Sequence, residues 1–256
     1  MIPRTSDGRV LFAIPWHDRV LVGTTDDPTS QPEIEPRAMP DERRFLLSSV
    51  ERFLGRRPDA AEIRSVWSGQ RPLVRRAGIS NTAALSRDHS ILISDAKLLT
   101  ITGGKWTTYR RMAEDAVDRA ATLGGLPPVR SQTAEMKLHG WMEPPDEETE
   151  WERVYGADLP ALQSIARDDP GLEQRLHPQL PFRQSEVIWA ARHEMAISIE
   201  DVLARRTRSL FLDARASLEA APVTARLLAR ELRKDAHWEQ EQLVKYRAVA
   251  ESYVWA

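Results

Sequence analysis

Thr102-Gly103-Gly104-Lys105-Trp106-Thr107-Thr108-Tyr109-Arg110 follows the apolar run Leu98-Leu99-Thr100-Ile101 and opens a long helical pattern. The run before the glycines predicts a strand. After them, Trp106, Tyr109, Met112, Ala113, Ala116, Val117 and Ala120 recur at spacings of three and four, which places them on one helix face. Gly124-Gly125 and Pro127-Pro128 close the helix. At such a strand-to-helix junction several backbone N–H groups stay unpaired and the helix carries partial positive charge, so an anion or an electron-rich ligand edge is favoured. Glycines remove Cβ atoms and let a ligand approach the backbone. Lys105 adds a charge, and Thr107 and Thr108 add hydroxyls. The same spacing equally fits a plain turn with a surface lysine, and spacing alone leaves both open. A nucleotide P-loop is excluded: it needs glycine at position 99 and Ser or Thr after the lysine, where this chain has Leu99 and Trp106.

Upstream of the junction the chain reads as strands joined by turns. Val10 to Ile14 and Val20 to Gly23 flank the polar connection Pro15-Trp16-His17-Asp18-Arg19 and predict a hairpin, with a connection longer than a tight two-residue turn. Residues 28–40, rich in proline and acid, predict a loop. Asp41 is then the expected cap of a helix whose broad apolar face carries Phe45, Leu46, Leu47, Val50, Phe53 and Leu54, and Gly55 stops it. Further strands are expected at residues 65–67 and around Ile91-Leu92-Ile93.

Downstream, residues 126–149 hold two proline pairs and the acidic run Asp146-Glu147-Glu148, and predict a linker. The remainder is helical in pattern. Ser185 leads one helix through Val187, Ile188, Ala191 and Met195, and Ile199 to Arg206 form a short second one. Pro222 sits at a helix start, and His237 to Tyr253 make the last helix. The expected organisation is therefore a mixed α+β domain over residues 1–125, a linker over 126–149 and an all-α domain over 150–256.

The 256 residues contain 41% hydrophobic and 29% charged side chains, which does not suggest disorder. A net charge of -2 gives no electrostatic reason to expect nucleic acid. With no cysteine, there is no disulfide framework, thiolate zinc site or cysteine nucleophile. The six histidines are scattered, and His193-Glu194 lacks a histidine at position 197, so no metal site is expected. No apolar run approaches the roughly 18 residues of a membrane helix, and the first residues lack a signal-peptide pattern.

Two arginines lie at predicted strand ends. Gly69-Gln70-Arg71-Pro72-Leu73 places Arg71 after one strand, and Ser86-Arg87-Asp88-His89 places Arg87 before another. A guanidinium fork there suits a phosphate or carboxylate. For either arginine alone a surface ion pair is the simpler use. His89 stands beside Arg87 and is the one histidine near a candidate site, with a structural role as its simpler reading.

Taken together, five stretches resemble the FAD-dependent glycerol-3-phosphate dehydrogenases in order and spacing. They are Asp7-Gly8-Arg9-Val10 through Ile14-Pro15-Trp16, then Val22-Gly23-Thr24-Thr25-Asp26, Ser68-Gly69-Gln70-Arg71-Pro72-Leu73, Ser86-Arg87-Asp88-His89 and the Thr102 to Arg110 stretch. The resemblance implies part of a flavoprotein substrate and FAD domain, of the D-amino-acid-oxidase-like type with a mixed β-sheet, followed by an all-α C-terminal domain. It implies oxidation of sn-glycerol 3-phosphate to dihydroxyacetone phosphate, with hydride passing to FAD and electrons then to a quinone. By the same resemblance, Gly103, Gly104, Lys105, Trp106 and Thr107 meet the cofactor, Arg71, Arg87 and Lys105 bind substrate, and Arg71 and Lys105 serve catalysis. A cytoplasmic location with peripheral contact on the inner face of the cytoplasmic membrane is expected.

The sequence departs from that family in having no Gly-x-Gly-x-x-Gly, the motif that grips the FAD pyrophosphate. The expectation is the C-terminal half of such an enzyme, inactive without an N-terminal FAD-binding half. The competing expectations are a non-catalytic binding or scaffold module, a subunit of a split flavoenzyme, and an oxidase that hands electrons to oxygen.

Overall fold

His17 takes the left-handed conformation, φ 54°, which a two-residue hairpin loop needs at its first position. The loop is His17-Asp18, shorter than the sequence suggests, because the strands run in as far as Trp16 and Arg19. Strand β1 (Phe12–Trp16) pairs antiparallel with β2 (Arg19–Gly23), in the register Phe12↔Gly23 to Trp16↔Arg19. This computed structural model describes residues 5, 8–29, 31–70, 88–143 and 151–255. Packing divides them into two units, one of residues 1–69 with 140–256 and one of residues 70–139. That division follows contacts, whereas the sequence boundaries at 125 and 149 follow composition.

In the first unit, helix α1 (Pro40–Leu54) starts one residue before the expected cap. Asp41 lies inside it. Pro40, whose φ is already helical, occupies the first turn, and the Met39 N–H donates to Glu42 Oε2 at 2.8 Å. Gly55, at φ 71°, ends the helix as expected. Of its apolar face, Val50 is buried while Phe53 and Leu54 are exposed.

The strand expected at residues 65–67 is absent. That segment spends its hydrogen bonds on helix ends instead. Val66 N–H donates to the Tyr253 carbonyl (2.9 Å), Ser65 Oγ to Leu210 (2.9 Å), and Arg64 accepts from Ala214 N–H (3.0 Å).

The core of this unit lies among α3 (Leu159–Asp168), α4 (Gln184–His193), α5 (Ser209–Leu212), α6 (Ala214–Leu232) and α7 (Ala236–Ala250). Buried alanines 216, 220, 221 and 225 on α6 allow close approach, and Val187, Ile188, Leu203 and Leu228 fill the space. Burying each such aliphatic side chain stabilises by about 1.5–3 kcal/mol. Tyr246 and Ser217, both buried, share a hydrogen bond of 2.6 Å between their hydroxyls.

Three details differ from the sequence expectation. Pro222 lies inside α6, not at its start, because Asp213 Oδ1 caps the helix upstream by accepting from Ala216 N–H (3.0 Å). The buried alanine face then outweighs the roughly 3 kcal/mol an interior proline costs. Met195 falls beyond α4, at φ 54° and exposed, since the Ala196 N–H turns back to the Ala190 carbonyl (2.9 Å). The short helix expected over 199–206 is a π-helical turn, Asp201–Arg206.

The second unit contains the hairpin of β3 (His89–Ile93) and β4 (Leu99–Gly103), antiparallel in the register His89↔Gly103 to Ile93↔Leu99. Helix α2 (Tyr109–Leu123) follows, and the Gly124 N–H bonds to the Ala120 carbonyl at its end. None of the described helices is long and apolar enough to cross a membrane.

Candidate functional site

The glycine junction has the backbone that its residues demand. Gly103 and Gly104 both take left-handed conformations, φ 77° and 82°, which side chains with a Cβ rarely adopt. At Gly104 space is short as well: an added Cβ would stand 2.7 Å from Met112 Cε and 3.3 Å from His89 Cβ. Part of the reason for glycine here is therefore packing within the unit.

Lys105 is extended, at φ -133° and ψ 151°, and Trp106–Thr108 form a 3-10 turn before α2 begins at Tyr109. The α-helix thus starts later than the sequence pattern suggests. The Thr108 hydroxyl and N–H both donate to the Lys105 carbonyl at 3.0 Å, which tightens the turn. Thr108 is used locally for that reason.

Lys105, Trp106 and Thr107 are exposed, Trp106 to 84% of its surface, and its ring stacks on Tyr109 with centroids 5.2 Å apart. The N–H groups of a first helical turn have no partner within the helix. The junction accordingly presents a cation, an aromatic face and backbone donors on one exposed turn.

The last residue of the motif behaves differently. Arg110 lies along α2, with Nη1 2.6 Å from Glu114 Oε2 and 3.1 Å from Thr133 Oγ1. Arg71 and Arg87 fall outside the described residues. His89 is brought to the site by the ladder, opposite Gly103. Its Nε2 lies 3.0 Å from Asp115 Oδ2, and Asp115 Oδ1 lies 3.1 Å from Arg111 Nη2. Sequence reasoning misses Asp115 and Met112 as neighbours of the turn. The only signal for Asp115 is the i,i+4 pairing with Arg111 on one helix.

For a flavin, the residues present fit one end of the group. The Cβ side of Gly104 is taken up by Met112 and His89, so what the left-handed glycine pair offers a ligand is its backbone, and the exposed Lys105 suits a negatively charged ring edge. Nothing in the sequence matches the pyrophosphate end. Among the described residues no group of three or more His, Asp or Glu side chains gathers as a metal site.

A separate polar cluster is buried in the helical unit. Glu186, the third residue of α4, accepts from the Arg183 N–H (2.7 Å) and from the Tyr155 hydroxyl (2.5 Å). Burial pushes its carboxyl up to about 7, against the opposing pull of those two donors. Burial and the neighbouring Glu186 also raise the Tyr155 phenol. Glu194 is raised too, chiefly by burial, and accepts from Trp189 Nε1 at 3.2 Å.

The profile of FAD dependent oxidoreductase matches residues 1–110, and that of the C-terminal domain of alpha-glycerophosphate oxidase matches residues 95–242. Over 284 aligned residues the chain is 34% identical to a mitochondrial glycerol-3-phosphate dehydrogenase of Arabidopsis thaliana, covering 99% of this chain and 45% of that one. Against the human mitochondrial glycerol-3-phosphate dehydrogenase the identity is 34%, covering 94% and 36%. The chain thus spans less than half the length of these relatives. A solved glycerol-3-phosphate dehydrogenase of Bacillus halodurans, complexed with FAD, superposes with a TM-score of 0.77 at 24% identity, over 98% of this chain and 53% of that one. These matches agree with the expected fold, a flavoprotein portion followed by a helical domain.

Proposed function

Because the chain belongs to the family of FAD-dependent glycerol-3-phosphate dehydrogenases and oxidases and carries its helical C-terminal domain, we propose that it forms the flavin- and substrate-facing part of an enzyme oxidising sn-glycerol 3-phosphate to dihydroxyacetone phosphate. The observation that carries this reading is the exposed 103–107 turn, with two left-handed glycines and Lys105 at its tip. Bound there, FAD would supply the two-electron acceptor.

Within this reading, Gly103 and Gly104 present their backbone to the ring edge, and the N–H groups of Trp106 and Thr107 together with Lys105 stabilise negative charge on it. Trp106, exposed and stacked on Tyr109, offers an aromatic face beside that edge. Arg71 and Arg87 bind and orient the substrate phosphate through their planar forks. Residues outside this sequence supply the grip on the pyrophosphate. Electrons go on to a quinone, and the protein works on the cytoplasmic side with peripheral contact to the inner face of the membrane.

The test combines this chain with an N-terminal half carrying Gly-x-Gly-x-x-Gly from a family relative. The expected result is flavin absorbance at about 450 nm, a property of the cofactor, bleached by glycerol 3-phosphate and restored by a quinone. An assembly that holds no flavin would overturn the proposal. Restoration by oxygen alone would replace the quinone with an oxidase reaction.

A further inference from the structure

Two chain segments far apart in sequence meet behind the glycine turn. His89 opens β3 and stands opposite Gly103, the last residue of β4. The chain then passes through Gly104, Lys105 and the 3-10 turn into α2, and there Asp115 returns to within 3.0 Å of His89 Nε2. Both side chains are partly buried, His89 to 21% and Asp115 to 28% exposure. Asp115 is itself held by Arg111, 3.1 Å away. The His89 side chain is also the neighbour of Gly104, its Cβ 3.3 Å from where a Cβ on that glycine would stand.

Consecutive glycines in left-handed conformations are the most freely varying backbone in the unfolded chain, so ordering them is costly. A contact between the residue beside the turn and the helix after it shortens the free loop and confines the turn between fixed ends. We propose that His89 is a positioning residue, which holds the 103–105 turn in place through its contact with Asp115. The inference rests on the flavin reading only for what the turn is held against. It assigns the histidine no contact with substrate or cofactor.

The experiment has two arms. In the first, amide hydrogen exchange is followed in the chain alone, with α6 of the other unit as the internal control for folding. His89→Ala and Asp115→Ala are each expected to speed exchange about tenfold at Thr108, whose N–H donates to the Lys105 carbonyl and closes the turn, while α6 stays protected. His89→Gln, which keeps an N–H donor near the Nε2 position, is expected to restore most of the protection. Unchanged exchange in the turn, or no rescue by glutamine in a chain with protected α6, overturns the proposal.

In the second arm the chain is combined with the nucleotide-gripping half, and FAD affinity is measured. It is expected to fall about tenfold in His89→Ala and to recover in His89→Gln. If the unsubstituted assembly binds no FAD, the flavin reading fails, and the exchange arm still decides the brace.

Discussion

The Tyr155 hydroxyl donates to Glu186 Oε2 at 2.5 Å, joining the segment ahead of α3 to the first turn of α4. The other oxygen of Glu186 closes that helix start by accepting the Arg183 N–H. One buried carboxylate therefore serves both a helix cap and a contact between elements, and burial holds its carboxyl near 7.

The pH dependence follows from that direction. The folded-state value lies above the ordinary value of about 4.3, so the folded chain binds the proton more tightly than the unfolded one. The resulting stability is fully present below about pH 4.3 and is lost as pH rises through about 7. Glu194, also raised, acts in the same direction. Thermal melts between about pH 5.5 and 8 should show stability falling with pH, and Glu186→Gln should flatten that slope. An equally steep slope in the variant would remove Glu186 from the account.

Replacing Glu186 by alanine should instead destabilise at every pH, by about 2 kcal/mol, since it removes a cap and leaves the Arg183 N–H and the Tyr155 hydroxyl without their acceptor. Denaturant unfolding measures this, and a loss below about 0.5 kcal/mol would contradict the pairing.

Gly104→Ala combines two penalties, the left-handed backbone and the crowding by Met112. Gly125, at φ 67° with open space where a Cβ would stand, carries the backbone penalty alone. Gly125→Ala should cost about 1 kcal/mol, and Gly104→Ala distinctly more, with part of the excess recovered by Met112→Ala. Equal costs for the two glycines would mean that Met112 yields freely.

Lys105→Ala separates stability from chemistry. The side chain is exposed, so unfolding free energy should stay within about 0.5 kcal/mol of the parent. In the flavin-loaded assembly the same change should lower the flavin reduction potential, because a charge that stabilises the reduced ring is gone. A potential that does not move would place Lys105 away from the flavin.

Arg71→Ala should raise the KM for glycerol 3-phosphate by roughly 10–100-fold, the loss of one charge-assisted hydrogen-bonding fork, with flavin affinity nearly unchanged. Parallel loss of both would count against a phosphate-binding role.

Much of the local structure is legible in short patterns. The 12–23 hairpin, Gly55 as a helix stop, and the strand, glycine pair and helix around Lys105 all follow from neighbouring residues, because turns and caps are decided by φ preferences and hydrogen bonds over a few positions. The 65–67 segment resembles a strand in sequence yet is none, because apolar residues in extended backbone look alike whether they pair with a strand or with helix ends.

Sequence by itself determined the chemistry on offer at the junction: two glycines, a lysine, an aromatic ring and hydroxyls in a set order, with no motif to grip a pyrophosphate. Tertiary structure decided what stands behind them. Only the ladder register sets His89 against Gly103, and only the return of α2 brings Asp115 to His89 and Met112 to Gly104. Such contacts join residues whose separation along the chain carries no period, so no local pattern encodes them. Pro222 inside α6 shows the same limit from the other side, since a buried alanine face overrode what the proline alone would dictate.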